Sequence, residues 1–243
     1  MRILIIGDIH SNLEAFQAVI EDAGRQDGFE RVWCLGDVVG YGPDPLACIA
    51  LLGRYPHVCV AGNHDRGVAG WLDLGDFNPY AAAACRWTAS RLRQEDIAYL
   101  VGLPETAVEG EFTLVHGSLR HPIWEYIMSE SHARATFERL KTRVCLAGHS
   151  HVPFLCREVG GQADFEPLRE REPLRLGEER WILNPGSVGQ PRDGDPRASY
   201  VLYDTCDGTL LHRRVEYDIE AVQEKMREAG LPQPLIERLS YGR

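Results

Sequence analysis

The chain is short of positive charge. Against 36 Asp and Glu it carries 26 Lys and Arg, a formal net charge of −10 at pH 7. Non-specific binding of nucleic acid rests on clustered cations, so a protein that tracks long DNA or RNA is disfavoured. Small anionic substrates stay open, because bound divalent cations reverse the field of a cleft locally. No apolar run approaches the ~20 residues that span a bilayer. The opening "MRILIIGDIH" is too soon interrupted for a signal peptide and has no small-residue cleavage site. A cytoplasmic protein with no membrane partner is therefore expected. C-x-x-C pairs are absent too. The seven cysteines, Cys34, Cys48, Cys59, Cys85, Cys145, Cys156 and Cys206, are odd in number and mostly set among apolar neighbours. They read as buried free thiols, which fits a reducing compartment. Internal repeats, low-complexity tracts and linkers are also lacking. The expectation is a single domain over 1–243, with substrate-side insertions around 66–110 and 118–142.

What is present suits a folded domain. The 243 residues are 44% hydrophobic and 26% charged, enough to build a core without disulfide staples. "RILIIG" (2–7) is an apolar run that predicts a buried strand. "SNLEAFQAVIEDAGRQ" follows, with Leu13, Phe16, Val19 and Ile20 at helical spacing and Ser11 or Asn12 as its cap. "RVWCLGD" (31–37) and "HVCVAGNHD" (57–65) predict further strands. Between them "DPLACIALLGRY" predicts a helix that opens on Pro45. This β-α-β-α-β order favours a layered α/β architecture. Two helices are expected in "NPYAAAACRWTASRLRQEDIAYLVGL", capped by Asn78. Strands are expected in "EFTLVHGS" (111–118) and "RVCLAGHSHVP" (143–153), with a helical stretch at 129–141. Beyond 154, "FLCREV", "ERWILNPG", "ASYVLYD" and "TLLHRRVEY" predict a second, more antiparallel sheet. The stretch 160–179 reads as a loop or an exposed hairpin, and 218–239 as helical.

Five apolar runs end in polar groups. They contribute Asp8 and His10, Asp37, then Asn63, His64 and Asp65, then His116, and last His149 and His151. Ligands of open α/β sheets bind outside the carboxyl ends of strands, so strands sharing one sheet would bring these groups to one cleft. Asp8 and His10 are two residues apart, as are His149 and His151. In an extended chain each pair points the same way and faces one ion. Two Asp, one Asn and four His, with no Cys, form a donor set for Mn, Fe, Zn, Co or Ni. Seven donors exceed one tetrahedral ion and suit two ions sharing a carboxylate, an arrangement fit for phosphoryl transfer. Alone, each piece has a plainer explanation: a Gly-Asp turn, an Asx turn at "NHD", a satisfied histidine in "TLVHGS". Turn chemistry does not account for all five in this order. His57, His121, His132 and His212 lack the context and are expected at the surface or behind the site.

Read in order, "GDIH", "GDVVG", "GNHD", "HGS" and "GHSH" resemble the motifs of the calcineurin-like metallophosphoesterases. "GYGPDP" (40–45) and "NPGSVGQPRDGDPRASY" (184–200) resemble a compact prokaryotic branch of phosphoesterases. The resemblance implies a four-layer α/β/β/α sandwich, two mixed sheets flanked by helices. It implies one divalent ion on Asp8, His10 and His151, a second on Asn63, His116 and His149, and Asp37 bridging them. It implies a bridging water or hydroxide that attacks phosphorus directly. His64 is implied as general acid or electrostatic stabiliser, oriented by Asp65. The protein Ser/Thr phosphatases carry an Arg after the second motif and GNHE in the third; "GDVVGYG" and "GNHD" depart from both. Arg66 and Arg192 are candidates for gripping phosphate, since a guanidinium matches its geometry; each is equally placed to be a surface ion-pair partner.

The expected activity is hydrolysis of phosphodiesters or phosphomonoesters with a small phosphorylated substrate. Alternatives are dinucleoside polyphosphate hydrolysis, phosphoprotein dephosphorylation, nuclease action on short oligonucleotides, and a protein-binding scaffold on the same fold. Substrate choice is expected from 118–142 and 160–179. Trp124 and Tyr126 are expected in the core, with a pocket wall as the alternative; Trp71 and Phe77 carry the same two readings.

Overall fold

A computed structural model describes residues 1–243. In chain order the elements are β1 (Arg2–Ile6), α1 (Leu13–Arg25), β2 (Arg31–Cys34), α2 (Pro45–Leu52), β3 (His57–Cys59), α3 (Asn63–Val68), α4 (Pro79–Ala89), α5 (Gln94–Gly102), β4 (Thr106–Glu109), β5 (Phe112–Val115), α6 (Glu130–Phe137), β6 (Val144–Ala147), β7 (Phe154–Val159), β8 (Gln162–Pro167), β9 (Pro173–Arg175), β10 (Trp181–Asn184), β11 (Ala198–Asp204), β12 (Thr209–Val215), α7 (Ile219–Glu228) and α8 (Gln233–Glu237). They build two six-stranded sheets, ordered β3-β2-β1-β11-β12-β9 and β4-β5-β6-β10-β7-β8. Both are mixed: β1, β2 and β3 run parallel, as do β5, β6 and β10, while the remaining pairings are antiparallel.

Side-chain alternation along the strands sets the layers. Ile3 and Ile5 of β1 point between the sheets, where they meet Trp33, Leu114, Leu146, Leu183 and Val201. Leu4 and Ile6 point to the other face and pack with Phe16 and Val19 of α1. On the outside of the second sheet, Val115, Cys145 and Ile182 pack with Ala133 and Phe137 of α6. Two sheets covered by helices on both outer faces make the expected four-layer α/β/β/α sandwich. Strand runs buried on both faces are continuously apolar, which is why the sequence showed them so clearly.

Local signals work as expected in several places. Asn12 caps α1 by accepting from Ala15 N at 3.1 Å, and Asn78 caps α4 by accepting from Ala81 N at 2.9 Å. Pro45 and Pro79 open their helices. Six cysteines are buried free thiols and Cys206 is exposed. The stretch 160–179 does contain a hairpin partner: β8 pairs with β7, and β9 closes the edge of the other sheet.

Three expectations change. The strands after 154 do not form a sheet of their own; β7, β8 and β10 complete one sheet, and β9, β11 and β12 the other. Local pattern marks a strand, whereas its partner is chosen by long-range burial. The third strand stops at Cys59, and Asn63, His64 and Asp65 form the first turn of α3. The stretch 104–110, for which no strand was expected, pairs with β5 as the edge strand β4.

Leu114 is fully buried between the sheets. Leu114→Ala should cost roughly 2–5 kcal/mol, a fall in melting temperature of roughly 5–15 °C by calorimetry. An unchanged melting temperature would contradict a packed inter-sheet core.

Candidate functional site

The polar groups come together at one end of the sandwich, from loops of both sheets. Asp8 and His10 follow β1, Asp37 follows β2, and Asn63 and His64 open α3 after β3. His116 follows β5, and His149 and His151 follow β6. All are buried. The paired residues do not owe their common direction to an extended chain. Asp8 and His10 have φ of 54° and 50°, His149 and His151 of 66° and 60°, and Asp37 of 53°. Five of the nine non-glycine residues with positive φ are thus predicted ligands. Such backbone is uncommon and persists where the surroundings over-determine it. Here hydrogen bonds hold it: Asp8 N to Gly36 O at 3.0 Å, His10 N to Asp37 O at 2.9 Å, and His149 N to the Asp8 carboxylate at 3.1 and 3.2 Å.

Four imidazoles aim one nitrogen inward. His10 Nε2 and His151 Nε2 lie 3.2 Å apart, and His116 Nε2 and His149 Nδ1 lie 3.0 Å apart. Asn63 Oδ1 is 3.2 Å from His116 Nε2. The opposite nitrogen of each ring meets a main-chain carbonyl: His10 with Val39 at 3.3 Å, His116 with Leu35 at 2.8 Å, His149 with Trp124 at 3.1 Å and His151 with Gln190 at 2.6 Å. A carbonyl can only accept, so each outer nitrogen carries the proton and each inner nitrogen presents a lone pair. Burial pushes His10, His149 and His151 well below the usual imidazole range and His116 to about 4, so the rings are neutral.

The carboxylates face the same lone pairs. Asp8 Oδ1 lies 3.3 Å from His151 Nε2. Asp37 Oδ2 lies 3.6 Å from His10 Nε2 and 3.4 Å from His116 Nε2, and it has no hydrogen-bond donor. Burial, before any other influence, raises the Asp8 carboxyl well above its ordinary range and brings Asp37 to about 7. Buried acceptors facing acceptors repel unless a cation lies between them. The donors also group by size of gap: Asp8, His10 and His151, and separately Asp37, His116 and His149, have ligand atoms within 4.8 Å of one another. The residues therefore fit divalent cations, and one Asp37 oxygen faces both groups.

His64 lies beside this cluster. Its main-chain N–H donates to Asp37 Oδ1 at 2.9 Å, and its Nδ1 is 3.4 Å from the Cys85 Sγ on α4. Burial holds the ring well below its ordinary range. Gly40, at φ 92°, leaves room for this ring, which a Cβ there would overlap. With His10 and Asp37, His64 also makes a third compact donor group. Asp65 does not orient the His64 ring. Its carboxylate accepts from the main-chain N–H groups of Asp37 at 2.8 Å, Gly62 at 3.0 Å and Val39 at 3.2 Å. It ties the Asp37 loop to the start of α3, and the Cys85 thiol occupies the place expected of it.

The two arginines separate. Arg66 turns away from the cleft. It donates to the Val101 and Leu103 carbonyls at 3.0 and 2.6 Å, at the C-terminal end of α5, and lies 4.5 Å from the Trp71 ring. Those are orphan carbonyls of a helix end, which a guanidinium satisfies well, so Arg66 is a structural clasp. Arg192 lines the cleft with Asp37, His64 and His149. It donates to Gln190 Oε1 at 2.9 Å, and its buried Nε has no partner.

The cleft, of about 230 Å³, is also walled by Tyr41, Phe77, Trp124 and Tyr126. Trp124 and Tyr126 are 37% and 39% exposed, so the core expected for them is not where they lie. Trp71 is exposed and Phe77 is buried against His64. His57, His121, His132 and His212 stay outside the donor groups and the cleft. Sequence reasoning missed Cys85, whose neighbours in the chain give no sign of a site, and Tyr41, although it lies in the "GYGPDP" run that carried the resemblance. It noted the 184–190 stretch without its role. There Asn184 Nδ2 donates to Gly148 O at 2.7 Å and Ser187 Oγ to Asp8 O at 2.9 Å, clamping both ligand loops. The dense Asn-Pro-Gly-Ser run was the available signal.

A family model for the calcineurin-like phosphoesterase superfamily domain matches residues 1–208. A metallophosphoesterase from Sphaerobacter thermophilus has a similar crystal structure, with 45% identity, a TM-score of 0.91, and coverage of 100% of this chain and 99% of that one. An uncharacterized protein of Methanocaldococcus jannaschii is 39% identical over 99% of this chain and 98% of its own length. A symmetrical bis(5'-nucleosyl)-tetraphosphatase of Aromatoleum aromaticum is 31% identical over 63% of this chain and 56% of its own length.

Mn²⁺ should raise the melting temperature of the protein, by the equivalent of about 2.7 kcal/mol at one hundred times its dissociation constant. Asp37→Ala should remove most of that gain, and a full gain in the variant would show that Asp37 holds no cation. Because the Asp37 carboxyl titrates at about 7, protons compete for it below that pH. Affinity for Mn²⁺ measured by calorimetry should fall at least about tenfold between pH 8 and pH 6, since the raised Asp8 carboxyl adds to the competition; equal affinities would contradict this.

Proposed function

The chain belongs to the calcineurin-like phosphoesterase superfamily, and from that premise we propose that it hydrolyses phosphoester bonds of small phosphorylated substrates with the help of two divalent cations. One would be held by Asp8, His10 and His151, the other by Asn63, His116 and His149, with Asp37 shared. The observation that carries this reading is the convergence of four imidazole lone pairs on two carboxylates, with Asp37 Oδ2 facing two of them and lacking any hydrogen-bond donor. Donors of oxygen and nitrogen without thiolate suit Mn, Fe, Co, Ni or Zn. When bound, such ions supply Lewis-acid polarisation of the phosphoryl group and a water of lowered pKa.

The chain's own groups do the rest. Arg192 lines the cleft, and its guanidinium binds phosphoryl oxygens, as a planar guanidinium does well. Cys85 faces Nδ1 of His64, which leaves Nε2 toward the cleft. Burial keeps the Cys85 thiol protonated and the imidazole neutral. A hydrogen bond donated by that thiol to the Nδ1 lone pair fixes the tautomer with N–H at Nε2. That favours His64 as a hydrogen-bond donor to phosphoryl or leaving oxygen, preorganised where charge develops. Asp65 keeps the Asp37 and Asn63 loops in register through three main-chain N–H groups. A second reading, hydrolysis of a dinucleoside polyphosphate at the same site, is favoured by the relatives named as symmetrical bis(5'-nucleosyl)-tetraphosphatases.

Turnover of bis-p-nitrophenyl phosphate with added Mn²⁺ tests the proposal, and no activity with Mn²⁺, Ni²⁺, Co²⁺ or Fe²⁺ would sink it. His64→Ala should slow kcat by roughly 10²–10⁴-fold with metal content retained; loss of metal instead moves His64 into the ligand set. Arg192→Ala should raise KM by roughly tenfold or more, and an unchanged KM would remove it from phosphate binding.

A further inference from the structure

Arg192 reaches the cleft from a loop that is fastened on two sides. On one side Asp193 pairs with Arg214, and Asp195 pairs at 2.7 Å with Arg197, which also meets Glu170 at 3.0 Å. On the other stands the segment 238–243, outside the residues that the family model matches. Gly194 N donates to Gly242 O at 2.8 Å. Both glycines hold positive φ, 88° and 60°, and a Cβ on Gly242 would lie 2.6–2.8 Å from the Asp195 main chain. A side chain at 242 therefore displaces the loop. The main-chain N–H of Arg192 donates to His151 O at 3.3 Å, so the tied loop also abuts a donor loop.

The segment is itself built in. Leu239 is buried, and with Met226 of α7 it faces His10, Tyr41 and Gln190 across a gap of about 10 Å³. Gln223 Nε2 on α7 donates to Ile236 O at 2.8 Å and to Ser240 Oγ at 2.9 Å. Arg238 begins the 3₁₀ turn that carries Leu239 and is half-buried. Burial, and after it the charge of Arg192, hold the Arg238 guanidinium below its ordinary range, so the two guanidiniums stand in one another's field. Arg192 donates to Gln190 and Tyr41, and Arg238 to the Arg243 carbonyl; neither is paired with a carboxylate.

The chain has a net charge of −10, and Arg197, Arg213 and Arg214 all have acidic partners. Two neighbouring cations left without one favour an anion beside them. We infer that the segment 238–243 is part of the phosphate grip: Gly242 is a positioning residue that holds Arg192 at the cleft, and Arg238 adds a second positive charge beside it. The inference rests on the phosphoester reading of this site and adds residues from a segment that lines no part of the cleft. Gly242 acts on the substrate only through the Arg192 loop, and Arg238 acts through its charge.

Calorimetry with inorganic phosphate on the Mn²⁺-loaded protein tests it, together with kcat and KM for bis-p-nitrophenyl phosphate. Gly242→Val should weaken phosphate binding and raise KM by roughly tenfold, the size of a lost hydrogen bond to a charged group. It should leave kcat and the gain in melting temperature from Mn²⁺ in place. Combined with Arg192→Ala, it should cost no more phosphate affinity than Arg192→Ala alone, because a residue that acts through Arg192 then has nothing to position. Arg238→Gln should weaken phosphate binding roughly threefold, and Arg238→Lys, which keeps the charge, should retain most of the affinity. No measurable phosphate binding, additive losses in the double variant, loss of the Mn²⁺ gain in Gly242→Val, or equal effects of glutamine and lysine at 238 would overturn the inference. Should Gly242→Val fail to fold, Gly242→Ala puts a smaller group against Asp195 and serves the same comparison. Phosphate binding needs no turnover, which separates the two readings. Affinity that depends on Gly242 and Arg238 without turnover of the diester removes the hydrolase and leaves the grip; turnover with affinity indifferent to both does the reverse.

Discussion

Each inward-facing histidine is tied at its back to a main-chain carbonyl, and the site depends on those four ties. Without them a neutral imidazole could turn its N–H toward a carboxylate and satisfy it, and no cation would be needed. With them, every ring presents a lone pair to the centre. The ties also cross the molecule. His116, after a strand of one sheet, is held by Leu35 of the other, and His149 donates its main-chain N–H across to Asp8. The two sheets must therefore meet in one register before the donors converge. The apolar layer of Ile3, Ile5, Leu114, Leu146 and Leu183 between them supplies that register.

This arrangement is unfavourable taken by itself. Buried carboxylates lie against lone pairs, and five of the ligand-type residues hold positive φ. Strain and repulsion of this kind persist at functional sites because a well-packed surround over-determines them. Asp65 and Ser187 show how the surround acts here. Neither points at the centre; each fastens main chain, the first joining the Asp37 loop to α3 and the second joining the 184–190 loop to Asp8.

The cleft beside the cluster is built by segments that carry none of the donors. Phe77 stands ahead of α4, Trp124 and Tyr126 lie between β5 and α6, and Arg192 follows the clamp formed by 184–190. Insertions around 66–110 and 118–142 were expected on the substrate side, and residues of both line the cleft. The expectation that the 160–179 stretch would help choose substrate finds no contact with it; none of the cleft-lining residues comes from that stretch.

Much of the fold was legible because buried strands are continuously apolar and helix caps are local. Asn12, Asn78, Pro45 and Pro79 each act within four residues of themselves, so their roles follow from spacing. The donors were legible as residue types at the ends of such runs. Their geometry was not. Asp8 and His10 looked like alternate residues of an extended strand, and the chain instead turns through left-handed backbone there. Asp65 and Arg66, neighbours of His64, seemed to belong to its chemistry, and both turn to main-chain carbonyls or amides elsewhere. Cys85, an apolar-looking residue of a helix, reaches His64 from 21 positions away. By itself the sequence determined which elements form and which residue types supply the chemistry, since both are set by short-range pattern. Only the tertiary structure decided which sheet each late strand joins, which nitrogen of each histidine is free, and which arginine faces the cleft. Those outcomes depend on contacts between residues far apart in the chain, where burial and hydrogen-bond supply, not spacing, select the partner.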